Sequence, residues 1–354
     1  MSRIARSPRR GGPRISDVAA HAGVSVATVS RVLTGSAPVA PAKREQVLSA
    51  IAELGYRPSS LARGLSLGRT GVIGVVAPFF THGATSARLR GIMDRAAPED
   101  YDVMIFNVES AHQREDAFVK FARRDRLDGL VVISLPIGDD DAARLRGEQL
   151  PTVLVDLQHA GFSGVSIDNV AGGELATRHL LDRGHTRIAF VGDAPTSALG
   201  YTSSDPRYEG YRRALRRARV KLDRTLVWRA PGSSLDPVRG RGPHSRVEAR
   251  EAVLRLLAGP APPTAVFAAS DMQAVGALEA AERLGASVPG DLAVVGFDDT
   301  EIAEILGLTT IRQPLEESGA EGMSLLLSQL SRDGEPAART EVPLPVRLVE
   351  RRTT

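Results

Sequence analysis

Between residues 15 and 54 the apolar positions fall at helical spacing in three short runs, each followed by a glycine. The first, 15–22, puts Val18 and Ala19 on one face and stops at Gly23. Ser25 then offers a hydroxyl to an orphan N–H of a second helix over 26–33, which ends before Gly35. A third helix over 42–54 carries Val47, Leu48, Ile51, Ala52 and Leu54 as an apolar stripe and stops at Gly55. From Gly71 the period changes. Compact apolar runs at 72–77, 103–107, 129–134, 152–156, 187–192, 265–269 and 292–297 read as strands. Helical patterns lie between them, for example at 171–183, 207–219, 245–258 and 272–284. Such alternation predicts parallel sheets covered by helices on both faces. Residues 231–243, rich in Gly, Pro and Arg, read as a mobile surface loop. Residues 1–14 read as a disordered basic tail.

A helix, a turn containing glycine and a second capped helix make the helix-turn-helix arrangement. In DNA-binding proteins of this kind the second helix enters the major groove, about 12 Å wide, while the first crosses the backbone. Small Ala19, Ala20 and Ala22 let the two helices approach, and Val24, Val29 and Val32 read as core. Val26, Ala27, Ser30 and Arg31 then face outward or toward DNA. Arg31 is the candidate for two hydrogen bonds to a guanine edge, and Val26 and Ala27 for contact with a thymine methyl. Ser25, Thr28 and Ser30 are candidates for phosphates. A three-helix protein-interaction module fits the same pattern, and periodicity alone leaves both readings open.

Charge bears on that choice. Residues 1–70 hold 11 Lys/Arg against 3 Asp/Glu, a balance of +8, whereas the remaining 284 balance to −5. A basic excess at one end suits a polyanionic partner. A solvated tail accounts for Arg3, Arg6, Arg9 and Arg10, but not for the patterned segment after them.

The 354 residues suffice for two or three domains. There is no cysteine, which excludes disulfides, thiolate metal sites and cysteine nucleophiles. No run of some 18 apolar residues predicts a membrane span, and no apolar stretch follows the basic start as in a secretory signal. Phosphate-loop, Gly-x-Ser-x-Gly and His-Glu-x-x-His motifs are missing, so an enzyme is not expected. Nor is a cofactor or a bound metal: His82 has no clustered partner at ligand spacing.

The wording of these segments is more specific than their periodicity. The run Ile15-Ser-Asp-Val-Ala-Ala-His-Ala-Gly-Val-Ser-Val-Ala-Thr-Val-Ser-Arg-Val-Leu33 strongly resembles the head of LacI/GalR repressors. Gly55-Tyr-Arg-Pro58 and Ala62-Arg-Gly-Leu65 resemble that family's hinge, and Gly71-Val-Ile-Gly-Val-Val-Ala-Pro78 the first strand of its core. Gly184-His-Thr-Arg-Ile-Ala-Phe-Val-Gly192, Val294-Val-Gly-Phe-Asp-Asp299 and Thr309-Thr-Ile-Arg-Gln-Pro314 continue the likeness in the family's order.

The resemblance implies an N-terminal all-α helix-turn-helix head and an α/β periplasmic-binding-protein-like core of two doubly wound lobes. The expected domains are the tail 1–14, the DNA-binding head 15–57, the hinge helix and linker 58–70 and the effector-binding core 71–354. Within the core, lobe 1 is expected at about 71–166 and 299–325, and lobe 2 at about 167–298 and 326–350. It further implies a transcription regulator, a repressor by expectation, that binds a pseudo-palindromic operator in double-stranded DNA as a homodimer. A small effector, expected to be a carbohydrate, controls its affinity, and the expected location is cytoplasmic and nucleoid-associated. Leu65 would wedge into the minor groove, with Arg57, Ser59, Ala62 and Arg63 completing the hinge's DNA contacts.

For the cleft, the resemblance points to Arg207 as the holder of effector oxygens and to Asp298 as the effector-binding carboxylate. A helix-surface arginine and a helix cap are the plain alternatives, with Asp299 the better cap. Ser270 stands where the family commonly has Asn. Gln313 is expected at the cleft or the lobe junction, and Phe297 either against a sugar face or in the core. The stretch Phe79-Phe-Thr-His-Gly-Ala-Thr-Ser86 departs from the family, because Ala84 and Thr85 replace bulky residues. Thr81, His82 and Ser86 are then candidates for hydrogen bonds to the effector. Arg14 stands where the family has Thr as a helix cap, and Asp17 is expected to compensate through the helix dipole. Leu89, Ile92 and Phe118 are expected at the dimer interface.

Overall fold

The computed structural model describes residues 13–34, 37–56, 69–194, 199, 203–230, 243–331 and 338–354. By its contacts the chain divides between Gly71 and Val72 into two units. The hinge residues Arg57, Ser59, Ala62, Arg63 and Leu65, most of the tail and the segment 231–242 lie outside the described residues.

The first unit contains α1 (Ile15–His21), α2 (Val26–Thr34) and α3 (Pro41–Leu54). Val18, Ala19, Val29, Val47, Ala50 and Tyr56 are its buried core, with Val24 and Val32 half-buried against it. At α1 the Arg14 backbone N–H donates to the Asp17 carboxylate at 2.7 Å. Asp17 therefore supplies the reciprocal half of a capping box in addition to its place in the helix dipole, while no side-chain cap bond is made at position 14. The third helix starts at Pro41, whose fixed φ suits a first helical turn.

The second unit opens with β1 (Val72–Pro78), α4 (Gly83–Ala96), β2 (Asp102–Val108), α5 (Ala111–Asp116), β3 (Gly129–Ile133), α6 (Asp139–Gly147), β4 (Thr152–Val155) and β5 (Ser163–Ile167). It continues with α7 (Asn169–Asp182), β6 (Ile188–Asp193), α8 (Ser204–Arg217), β7 (Val227–Ala230), α9 (Arg246–Leu257), β8 (Ala265–Ala268), α10 (Asp271–Leu284) and β9 (Ala293–Asp298). It closes with α11 (Glu301–Leu306), β10 (Thr309–Arg312), α12 (Leu315–Leu330), β11 (Glu341–Leu344) and β12 (Arg347–Val349). Two six-stranded sheets result, ordered β11-β5-β4-β3-β1-β2 and β12-β10-β9-β8-β6-β7. All their pairings are parallel except β10 with β12. Each sheet is packed on both faces by apolar clusters, so the doubly wound architecture follows from strands that are apolar throughout.

The seven expected strands are present, and β5, β7, β10, β11 and β12 join them. These five are short or broken by Ser, Gly, Arg or Pro, so they lack a continuous apolar run. Their pairing corrects the expected division of the lobes. Strand β10 belongs to the second sheet and β11 to the first, opposite to the assignment of 299–325 and 326–350. The reason is that the chain changes sheets after β10 and again after β11, so neither segment belongs wholly to one lobe.

Candidate functional site

On the head, the described face of α2 is open. Val26 is 45 % exposed, Ser25, Ala27 and Arg31 are exposed, and Thr28 and Ser30 are half-buried. Ser25 does cap α2: its Oγ accepts from the Thr28 backbone N–H at 3.2 Å and lies 2.9 Å from Thr28 Oγ1. Beneath them Val29 is wholly buried. The helix therefore presents a small, apolar and basic ridge, stiffly seated on its own core.

In the core, a cavity of about 230 Å³ lies at the carboxyl ends of strands from both sheets. That is where parallel α/β sheets place ligands. Arg207 on α8 and Asp298 at the end of β9 meet there, Nη1 to Oδ1 at 3.5 Å. Arg207 Nε also donates to Asn169 Oδ1 at 2.8 Å, and Nη1 donates to the Ala269 carbonyl. Gln313 donates through Nε2 to Asp298 and accepts at Oε1 from Arg88 Nη2 at 2.9 Å. Arg88 in turn stands 3.2 Å from Asp156, which accepts from Ser134 Oγ at 2.8 Å. One chain of ion pairs and hydrogen bonds thus crosses the cleft from lobe to lobe.

Of the expected residues, Arg207, Asp298, Gln313, Ser270 and His82 line this cavity. Ser270 is also the cap of α10, accepting from the Gln273 N–H at 3.2 Å. The remaining three expected residues lie elsewhere. Phe297 is wholly buried in the second lobe's core, with the Arg207 guanidinium 3.7 Å above its ring, so the sugar-stacking alternative is not what its position offers. Thr81 is exposed and outside the cavity wall. The Ser86 hydroxyl turns back to the Gly83 carbonyl at 3.1 Å and lines a neighbouring groove instead. On α4 it is Thr85 and Arg88, one helical turn apart, that face inward. Asp299 does not cap the next helix; it pairs with Arg351 at 2.7 Å.

Arg88, Asp156, His244 and Asp271 also line the cavity and were missed. No sequence signal separates Arg88 from Arg90, its exposed neighbour two residues on. Asp271 accepts from Thr300 N–H and Oγ1 and from Thr310 Oγ1. Burial, then the charge of Asp298, pushes its carboxyl up to about 7. Burial also raises Asp298, against the pull of Arg207. Burial and the nearby His244 drive the His82 imidazole down to about 4, leaving it neutral near pH 7. Among the described residues no cluster of His, Cys, Asp and Glu is suited to a metal, and no helix is long and apolar enough to cross a membrane.

Residues 14–59 match the model of bacterial regulatory proteins of the lacI family, and residues 177–354 match a periplasmic binding protein-like domain. The chain is 33 % identical over 324 residues to the ribose operon repressor of Escherichia coli (strain K12), covering 90 % of this chain and 93 % of that one. It is similar to the crystal structure of the lac repressor dimer bound to operator and the anti-inducer ONPF, with TM-score 0.81, 27 % identity and coverage of 97 % and 99 %. It is also similar to a LacI family regulator from Enterococcus faecium with bound ribose, with TM-score 0.69, 26 % identity and coverage of 80 % and 98 %.

Proposed function

The chain belongs to the LacI family of bacterial regulatory proteins, and on that premise we propose that it is a sequence-specific repressor whose operator affinity is set by a small carbohydrate. Exposed Val26, Ala27 and Arg31 on α2 are the base-reading set, with Ser25, Thr28 and Ser30 at the phosphates. The hinge, with Arg57, Ser59, Ala62, Arg63 and Leu65, belongs to the same DNA contact. A homodimer on a pseudo-palindromic site is part of the reading, since two-fold operators mirror two-fold proteins. Such a protein acts in the cytoplasm, at the nucleoid.

The observation that carries the effector half is the meeting of Arg207 and Asp298 at 3.5 Å on the wall of a small cavity. A guanidinium donates to hydroxyl oxygens and a carboxylate accepts hydroxyl protons, so the pair suits vicinal hydroxyls. The ribose named for two similar proteins supports a sugar of that size.

The dimer reading changes in one respect. Leu89, Ile92 and Phe118 are buried within the first lobe and offer nothing to a second subunit. Exposed apolar residues among those described include Met93 on α4, Met104 and Ile105 on the edge strand β2, and Ile305 on α11. These take over the interface role in the proposal.

Selection of bound sequences from random duplex DNA, followed by gel shifts with and without sugars, tests the function. A two-fold symmetric consensus whose affinity changes with one sugar is the expected outcome. Binding without sequence preference would remove it.

A further inference from the structure

We propose that Arg216, Arg219, Lys221 and Arg224 form a second, sequence-independent DNA contact on the second lobe, at the end away from the cleft, which grips the phosphates of a duplex segment other than the operator. The inference rests on the chain being a DNA-binding regulator and not on any effector.

The observation begins in the sequence. From Arg212 to Arg224 there are seven Lys/Arg and one acid, Asp223. This run stands in a core, 71–354, whose overall balance is −5. The structure places it on the last two turns of α8 and along the connection to β7. Three of the seven are occupied within the lobe. Arg212 and Arg213 pair with Glu209 at 3.0 and 3.1 Å, and Arg217 pairs with Glu174. Arg216, Arg219, Lys221 and Arg224 are exposed, and among the described residues none of their side chains meets a carboxylate. Arg178 is a fifth such residue. It lies one turn after Glu174 on α7, the helix packed against α8, so it extends the same surface.

Helix polarity explains part of this and no more. A cation in the last turn of a helix meets the negative end of its dipole, an effect that fades within that turn. Arg216 and Arg217 are so placed. Arg219, Lys221 and Arg224 lie past the end of the helix. Arg219 is also in the left-handed region, at φ +58°. There the Val220 N–H closes back onto the Leu215 carbonyl at 2.9 Å. Helices α7, α10 and α11 close in the same way, each with glycine at the left-handed position, Gly184, Gly285 and Gly307. Glycine carries no Cβ penalty there. The chain keeps an arginine where the fold favours glycine, on the helix end that carries the charge run.

Topology sets where this charge points. In a parallel sheet the helix C-termini and strand N-termini share one end of the lobe, and the cleft lies at the other. Strands β6 and β7 pair with Phe190 opposite Val227, so Arg187 stands level with Arg224. Arg187 is tied to Asp223 at 3.5 Å. The run's only acid is therefore answered by an arginine from outside it, and the run keeps its charge. Strand β7 is the outer strand of its sheet, which leaves the connection at an open edge. The chain enters the core at Val72, the start of β1 in the other sheet. Both sheets turn their carboxyl ends to the cleft, so Val72 and the charge run stand at opposite poles of the core. A contact at the pole far from the head's point of attachment suits a second duplex segment.

Chemistry decides the partner. Guanidinium and ammonium groups without carboxylates fit the closely spaced phosphates of a duplex, which are bound by charge and without regard to sequence. Residues 212–224 include no aromatic. Single strands are gripped by stacking their bases on aromatic rings, so the duplex is the form that fits.

The test is binding of a labelled duplex of random sequence to the full chain, read by fluorescence anisotropy across a salt series, with and without stoichiometric unlabelled operator duplex. The unaltered protein should bind the labelled duplex with the operator already on its heads. Arg216→Glu with Arg219→Glu and Lys221→Glu should weaken that binding about 10-fold or more, and lower the slope of log affinity against log salt by about 0.9 for each contact removed. Operator affinity and the unfolding midpoint of this variant should be unchanged. Arg216→Lys with Arg219→Lys keeps the charge and should keep the binding within about twofold. An unchanged affinity and salt slope in the charge-reversed variant would make the run a solvated helix end and overturn the proposal. Preference for single-stranded DNA or polyglutamate over duplex would overturn the partner class. With no operator found, the unaltered and charge-reversed chains compared on random duplex still decide the matter, so the two readings fail separately.

Discussion

Arg207 Nη1 lies 3.5 Å from Asp298 Oδ1, with the two side chains 3 % and 10 % exposed, and the guanidinium carbon stands 3.7 Å from the centre of the buried Phe297 ring. The pair is held from below by packing and presents its polar edges to the cavity, so it is set before any ligand arrives. Truncating Arg207→Ala leaves the Asp298 carboxylate buried beside Asp271 with its main counter-charge gone. The expected loss of core stability is about 3 kcal/mol, read by urea unfolding. Asp298→Asn in turn strands the buried Arg207 guanidinium and should cost a comparable amount. Losses below about 1 kcal/mol in both variants would mean that charge pairing is not what holds the site.

Arg31 is exposed on α2 with no role in the head's buried core. Arg31→Ala should leave melting of the head unchanged and weaken binding to the selected operator by about 1–3 kcal/mol, with relaxed preference at one base position. Gel shifts across a salt series check this. An unchanged affinity and sequence preference would take Arg31 out of the readout.

A methyl on Gly319 would collide with the backbone of Arg88, not with a flexible side chain. Gly319→Ala should therefore destabilise the core by about 1–3 kcal/mol or more, as overpacking does. Gly147, at the exposed end of α6, has nothing within 4 Å of such a methyl. Gly147→Ala should be neutral or slightly stabilising. Comparable unfolding midpoints for the two variants would contradict the tight α4–α12 crossing.

Asp271 binds its proton more tightly in the folded chain, at about 7, than its ordinary value of 3.8 allows when unfolded. Its contribution to stability is therefore complete below about pH 4 and is lost as pH rises through 7. Asp271→Asn should lower stability at low pH, because a threonine loses an acceptor, yet flatten the decline between pH 4 and 7. Thermal melts across that window provide the readout. An unaltered slope would place the titration elsewhere.

Ile305 is 65 % exposed and Met104 is 47 % exposed on the unpaired edge of β2. Ile305→Glu combined with Met104→Glu should leave the melting temperature of the isolated subunit intact, since neither residue is in the core. Sedimentation should move from dimer to monomer. A dimer that persists at micromolar concentration would exclude this surface as the interface.

The head was legible residue by residue. Glycine stops, the Ser25 cap and the Val18, Val29 and Val47 pattern are local signals, because a short helix buries one face whose period is written in the chain. The seven strongest strands were legible for the same reason, and so were Arg207 and Asp298 through their motifs. The sheet membership of β10 and β11 was not, since a pairing such as that of Glu341 with Gly164 depends on where the chain folds back.

What the sequence determined by itself was the kind of protein, through local periodicity and short motifs. Only the tertiary structure decided that Arg88 would be buried while Arg90 stays in solvent. On α4 the two arginines differ by two positions, about 200° around the helix. Which direction is the cleft is fixed by α12 packing against Gly91 and by Asp156 and Gln313 arriving from distant strands, and no local pattern encodes that convergence.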